Sequence, residues 1–365
     1  MMMNEQKRGV RLNRLRITNY KKLDFLEIDF PSPVMEGDAD IFVFGSKNGG
    51  GKTSVLECCA LVLLAGMTLQ AESKSENILL WDKQGDFDFD SNNALIKAGQ
   101  QHAIIQAEFA QNEQECTVYL VITRNEHFYG TLEGDKILFF GSQSIPSAFA
   151  FSSRRTTRYA AVLDNILAVS SEPCLIPPLL HFNSYRKVQE AKPELGMVAG
   201  LAYPYPPISS FKLEILRLLM GQAALFEGFD QKKSDVILSQ LNRLVQRYAG
   251  GKIEHLRPLP DNKVDIRINP SAGGESFSFD GLSSGQKEMI ATLFLVWQHS
   301  QEQPCIVLID EPELHLNAEW HGDFVRQLQQ LAPHNQYILA THSETMFRSV
   351  DEANRAVLVP DDVML

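Results

Sequence analysis

Cysteine is scarce in this chain and poorly spaced for chemistry. Cys58, Cys59, Cys116, Cys174 and Cys305 form no C-x-x-C pair and share no ligand spacing with histidine. That excludes zinc ribbons and disulfide scaffolds and fits buried thiols in a reducing compartment. An excess of positive charge is also missing. The net charge of −11 excludes a protein whose whole surface is a nucleic-acid footprint, while leaving room for a local basic patch. No hydrophobic run is long enough to cross a bilayer: the most apolar stretch, Val55 to Leu69, carries Glu57 and is too short. Met1 to Arg16 is basic and lacks an apolar core, so no secretory signal is visible and a cytoplasmic location without membrane insertion is expected. No heptad is sustained, which excludes a long coiled coil. Internal repeats and low-complexity tracts are absent as well.

What remains is ordinary for a globular protein. The 365 residues are 44% apolar and 22% charged, enough for a sizeable core in one large domain or two smaller ones.

The chain is organised around Ile41-Phe-Val-Phe-Gly-Ser-Lys-Asn-Gly-Gly-Gly-Lys-Thr-Ser54. A short apolar run reads as a buried strand, empties into a glycine-rich turn and continues into an apolar helix from Val55. Glycines let backbone N–H groups converge on an anion, and the helix N-terminus adds its partial positive charge. Ser46, Lys47, Asn48, Gly49, Gly50, Gly51 and Ser54 would line such a phosphate cradle. Lys52 would reach the terminal phosphates, and the Thr53 hydroxyl would bind Mg²⁺. Ser46 stands where the G-x-x-x-x-G-K-[ST] pattern asks for glycine.

Upstream, Val10 to Phe30 reads as two strands joined by a turn at Thr18 to Lys22. Downstream, Asp86-Phe-Asp-Phe-Asp90 fits a solvated loop better than a cation site. His102–Phe109 and Cys116–Thr123 read as strands, with Thr131–Phe140 as a third. Gly141 to Pro207 is irregular and proline-rich; its Ser152-Ser-Arg-Arg-Thr-Thr-Arg158 segment reads as an exposed basic turn before a phosphate contact. Leu179–Phe182 is a strand leading into Asn183-Ser-Tyr-Arg186. Phe211–Phe226 and Val236–Tyr248 are helical. Ile253–Leu256, Val264–Ile268 and Ser276–Phe279 are short strands.

Three further stretches carry chemistry. Leu282-Ser-Ser-Gly-Gln286 opens an amphipathic helix, as a second backbone anion site or as a routine N-cap. Cys305-Ile-Val-Leu-Ile-Asp-Glu-Pro312 reads as a central parallel strand with Asp310 and Glu311 at its C-terminal end, where open α/β sheets bind ligands. Asp310 suits Mg²⁺ and Glu311 suits polarising water; a plain strand cap is the alternative. Gln336-Tyr-Ile-Leu-Ala-Thr-His-Ser343 is another buried strand. One βαβ crossover through the helix carrying Trp320, Phe324, Leu328 and Leu331 would bring His342 beside Asp310 and Glu311.

In this order the stretches resemble an ABC-type ATPase. Lys52-Thr53 matches the Walker A motif. Leu282 to Gln286 matches the signature, with Ser284 where glycine is usual. Asp310 and Glu311 match the Walker B aspartate and catalytic glutamate, and His342 the switch histidine. Leu15-Arg-Ile-Thr-Asn-Tyr-Lys-Lys-Leu23, Ala94-Leu-Ile-Lys-Ala-Gly99 with Ala103–Phe109 as a following strand pair, and Glu311-Pro-Glu-Leu-His-Leu-Asn317 resemble SMC, RecF and OLD-type heads. Gln106 and Gln189 are candidates for the Q-loop glutamine. The resemblance implies an α/β head with a mixed central sheet, an antiparallel β subdomain and a helical insertion. It divides into an ATPase lobe over 1–140, an insertion over 141–270 and a second lobe over 271–365.

The resemblance also implies a function. Two copies would sandwich ATP and Mg²⁺, with Ser283, Ser284, Gly285 and Gln286 of one copy completing the other's site. Glu311 and His342, with Lys52, would carry hydrolysis. The cycle would serve DNA sensing or processing, or control of a partner effector, in phage defence or DNA repair. The short stretch after His342 leaves no room for an appended nuclease, so an effector or nuclease is expected as a separate polypeptide. Double-stranded DNA is a further candidate partner, through Arg11, Arg14, Arg16, Lys21, Lys22 and the Arg154–Arg158 cluster. The competing functions are a transporter's nucleotide-binding subunit and a scaffold that uses ATP only to assemble.

Overall fold

The computed structural model describes residues 9–33, 39–45, 49–72, 94–111, 114–123, 127–133, 136–140, 173–188, 209–222, 230–260 and 263–358. Ser46, Lys47, Asn48, the Asp86–Asp90 run, the Arg154–Arg158 cluster and Gln189 lie outside them. The chain forms two compact units. The first comprises residues 1–185, 299–313 and 332–365; the second comprises 186–298 and 314–331.

The first unit contains two six-stranded sheets and one buried helix. Strands β1 (Val10–Tyr20) and β2 (Leu23–Asp29) form the expected antiparallel pair, followed by β3 (Asp40–Gly45) and helix α1 (Lys52–Glu72). Strands β4 (His102–Gln111), β5 (Gln114–Thr123), β6 (His127–Glu133) and β7 (Lys136–Phe140) complete an antiparallel sheet of order β2-β1-β4-β5-β6-β7. The single strand expected over Thr131–Phe140 is therefore two, paired with each other through Glu133 and Lys136. Ala94–Gly99 is not a strand either: it is a short turn that touches β1 through one bridge between Tyr20 and Ile96.

The second sheet is mixed. It adds β8 (Cys174–Ile176), β9 (Leu179–Phe182), β13 (Ile306–Asp310), β14 (Gln336–Thr341) and β15 (Arg355–Val357), in the order β15-β3-β14-β13-β9-β8. All neighbours are parallel except β8 and β9. Every residue of β13 and β14 is buried, as their unbroken apolar runs require of strands covered on both faces. Helix α1 packs against strands of both sheets. Its side chains from Val55 to Ala65 are buried and, Glu57 apart, apolar on every face, which suits a helix enclosed on every side.

The second unit holds α2 (Ser210–Gln222) and α3 (Gln231–Ala249). Helix α3 starts five residues before the expected Val236 because Asp230 caps it, accepting from Lys233 N at 3.1 Å. Strands β10 (Gly251–Pro258), β11 (Val264–Pro270) and β12 (Phe277–Ser278) form a small antiparallel sheet. The strand expected over Ser276–Phe279 shortens to two residues, because Ser278 caps a 3₁₀ turn at Phe279–Gly281. Helices α4 (Ser284–His299) and α5 (His321–Leu331) complete the unit. Helix α6 (Glu344–Phe347) belongs to the first unit. The longest helix among the described residues has 21 residues, and none is long and apolar enough to cross a membrane.

Candidate functional site

Adjacent parallel strands β3, β14 and β13 all deliver polar residues at their C-terminal ends. This is where a parallel sheet places its ligand crevice. After β3, Gly49 and Gly51 take φ of 83° and 82°, a left-handed backbone that lets the chain turn sharply into α1. Gly51 is constrained twice: a Cβ there would lie 2.7 Å from Leu23 Cδ2 on β2. Val55 N donates to Gly51 O at 3.0 Å and starts the helix. Lys52 and Thr53 thus sit on its first turn.

The structure brings together five residues that are scattered in sequence. Thr53 Oγ1 donates to Asp310 Oδ2 at 2.7 Å. Asp310 is 1% exposed at the last position of β13. Lys52 Nζ lies 2.9 Å from His342 Nε2, and the same ring nitrogen lies 3.4 Å from Glu311 Oε1. His342 Nε2 is therefore the point on which a cation and a carboxylate converge. One tautomer accepts from Lys52 and the other donates to Glu311. Burial pushes the Lys52 ammonium below its usual pKa range, while Asp310, Glu311 and Glu313 pull it back up. Glu311 and His342 are partly exposed, so this pair faces the crevice while Asp310 closes its floor.

Glu311 has φ of +46°, unusual for a residue with a side chain. Its N–H donates to Ala340 O at 2.8 Å, the last bond tying β13 to β14 before the backbone turns away. Glu313 follows, its carboxylate accepting from Thr341 Oγ1 at 2.7 Å and from His342 N at 2.5 Å. Reading the sequence gave Glu313 no role; its place within Glu311-Pro-Glu313 was the only signal.

The segment Asn183-Ser-Tyr-Arg186 stands out in the sequence after the Leu179–Phe182 strand, but nothing there gives Asn183 itself a role. Phe182 on β9 pairs with Ile309 on β13, so Asn183, buried at the end of β9, stands level with Asp310. Gln106 instead lies within β4 of the antiparallel sheet, paired with Arg16 and Tyr119. The signal for Asn183 was its position directly after a buried strand.

The Thr53 hydroxyl and Asp310 carboxylate are hard oxygen donors in contact with one another, a donor set that fits Mg²⁺. When bound with a nucleotide, Mg²⁺ supplies neutralisation of phosphate charge.

In the second unit, Leu282–Gln286 forms a capping box. Gln286 N donates to Ser283 Oγ at 3.2 Å, and Ser283 N donates to Gln286 Oε1 at 2.9 Å. Gln286 Nε2 donates onward to Tyr248 O at 2.8 Å. Ser283 and Ser284 remain exposed at the start of α4, with the positive end of its dipole behind them. The loop before them is anchored by Lys212, 1% exposed, whose Nζ donates to Asp280 Oδ1 at 2.5 Å.

Arg11, Arg14 and Arg16 of β1 and Lys21 of the turn after it are already matched to carboxylates. Arg11 pairs with Asp40 at 2.7 Å, Arg16 with Glu27 at 2.9 Å and Lys21 with Glu57 at 2.5 Å; Arg14 meets Asp29.

The family model described as "RecF/RecN/SMC N terminal domain" matches residues 11–364. A retron Vc95 probable ATPase of Vibrio cholerae serotype O1 biovar El Tor is 36% identical over 87 residues. That match covers 21% of this chain and 17% of that protein. Among solved structures, the SmcHead bound to the C-winged helix domain of ScpA superposes with a TM-score of 0.50 at 15% identity, covering 93% of this chain and 92% of that one. The SMC head domain from Thermotoga maritima gives 0.46 at 14% identity, covering 97% and 100%. The chain belongs to the RecF/RecN/SMC N-terminal domain family and has the fold of an ABC-type ATPase head.

Proposed function

We propose that this protein hydrolyses ATP at a composite site formed by two copies of the chain. The carrying observation is the convergence of Lys52, Thr53, Asp310, Glu311 and His342 at the ends of three adjacent parallel strands. Residues up to 290 positions apart meet there, with the cation, acceptor and water-facing carboxylate that phosphoryl transfer uses. The relative that is named a probable ATPase supports the same reading.

In this reading the glycine turn and Lys52 hold the phosphates, and Lys52 leaves His342 to do so. Thr53 and Asp310 hold Mg²⁺. Glu311 accepts a proton from the attacking water, and His342, released from Lys52, contacts the γ-phosphate. Ser283, Ser284 and Gly285 of a second copy cap that phosphate with hydroxyls and helix N-terminal amides. Gln286 works differently from the serines: its side chain is held by Ser283 and Tyr248 and shapes the turn.

In this reading the output of the cycle is control of a partner effector, in defence or repair. The pairing of Arg11, Arg14, Arg16 and Lys21 with carboxylates disfavours β1 as a duplex-DNA contact. Phosphate release tests the reading. Glu311→Gln should keep nucleotide binding and slow turnover by roughly 10²- to 10⁴-fold, and Lys52→Ala should weaken binding itself. A Glu311→Gln protein turning over at the unmodified rate would remove Glu311 from the role of base.

A further inference from the structure

Glu313 takes no part in the chemistry above, yet both of its carboxylate oxygens are engaged. Oε2 accepts from Thr341 Oγ1 and Oε1 from His342 N. Thr341 is the last residue of β14 and is buried; its hydroxyl oxygen also accepts from Ser343 N at 2.9 Å, and of the two acceptors in reach of its proton, Glu313 Oε2 at 2.7 Å is the stronger and Met346 Sδ at 3.8 Å the weaker. Ser343 in turn caps α6, accepting from Met346 N at 3.3 Å. One carboxylate therefore grips the whole turn on which His342 stands.

Its location gives this grip a consequence. The β13–β14 ladder ends where Asp310 pairs with Ala340, and Glu311 N makes one more bond to Ala340 O. Beyond that point the two backbones separate, carrying Glu311 on one side and His342 on the other. Glu313 is the next tie between them.

We propose that Glu313 is a positioning residue that sets the separation between Glu311 and His342 in the hydrolytic step. The proposal rests on the reading of that pair as the hydrolytic groups. Glutamate suits both partners as they stand: His342 N can only donate, and the Thr341 hydroxyl, which already accepts from Ser343 N, donates its proton here. A glutamine would turn an NH₂ toward one of them. An aspartate is one methylene shorter and cannot reach both.

The test combines Glu313→Gln, the near-isosteric Thr341→Val and the double variant, all in the full chain. Phosphate release gives kcat and KM, and a fluorescent ATP analogue gives nucleotide affinity. A misplacement near the reacting atoms costs on the order of 10- to 100-fold in rate, and that is the fall in kcat expected for Glu313→Gln. Affinity should fall far less than kcat, because Glu313 makes no bond to the glycine turn and is only the weakest of the three carboxylates that favour the charged form of Lys52. Thr341→Val should fall less, and the double variant should be no slower than Glu313→Gln alone, since the two residues share one bond. Unchanged kcat in both single variants would overturn the proposal, as would affinity and kcat falling together with melting temperature. No turnover in the unmodified protein would instead remove the hydrolytic reading, and this role with it.

Discussion

At Gly285 there is no room for a side chain: a Cβ would lie 2.4 Å from the His315 carbonyl oxygen. His315 itself has φ of +68°, so the Leu314–Asn317 segment bends to meet the glycine. Gly285→Ala should destabilise the protein by about 1–3 kcal/mol, read as a lower urea midpoint. Glu311 shows strain of another kind. Its positive φ costs on the order of 1–3 kcal/mol, and glycine would relieve it. Glu311→Gly is therefore expected to abolish turnover without lowering the urea midpoint; a marked drop would mean that the side chain also supports the fold. The cysteines are quiet by comparison. All five are buried, and burial pushes Cys174 and Cys305 up to about 12. A thiolate-seeking disulfide reagent should therefore leave them unmodified in the native protein and react with all five after denaturation.

At the scale of elements, the turn between β1 and β2 is tied to α1 through a buried carboxylate. Glu57 receives Lys21 Nζ at 2.5 Å and Tyr20 OH at 3.2 Å. Burial raises the Glu57 pKa more than Lys21 lowers it. The folded state then holds a proton that the unfolded chain releases near the ordinary carboxylate pKa. This contribution to stability is fully present below that pKa and is lost as pH rises through the higher folded value. Glu57→Gln should remove this component from the pH dependence of Tm. A profile identical to the unmodified protein's would show that Glu57 does not titrate differently in the folded state.

Gln336 makes another cross-element tie, between β14 and β1. Its amide accepts from Leu12 N and donates to Leu12 O, both at 2.8 Å.

Elements of this kind were unevenly legible in the sequence. β3, α1, β13 and β14 announce themselves through long apolar runs, because strands and helices covered on all sides carry no polar face. β8 and β15 have three residues each and no periodicity; only their pairing with β9 and β3 makes them strands. The division of β6 from β7 did carry a signal in the sequence, the Gly134-Asp135 pair between Glu133 and Lys136, which the reading of Thr131–Phe140 as one strand passes over.

At the scale of the whole molecule, the site was legible where chemistry demands particular residue types in order. Lys52, Thr53, Asp310, Glu311 and His342 could be named from motifs, and strand register brings them together. Asn183 and Glu313 could not, since one is defined by register with β13 and the other by two hydrogen bonds across a turn. Arg11, Arg14, Arg16 and Lys21 went the other way. They read as a nucleic-acid patch in one dimension and pair with carboxylates in three. What completes the site is the least local feature. The signature turn lies in the second compact unit, on exposed serines at a helix N-terminus, and in the proposed composite site a second copy would supply it to the phosphate. Light scattering of Glu311→Gln with and without ATP and Mg²⁺ tests this directly. A monomer without nucleotide that becomes a dimer with ATP, and fails to do so when Lys52→Ala is added, is the expected result; a protein of unchanged mass in saturating ATP would contradict the composite site.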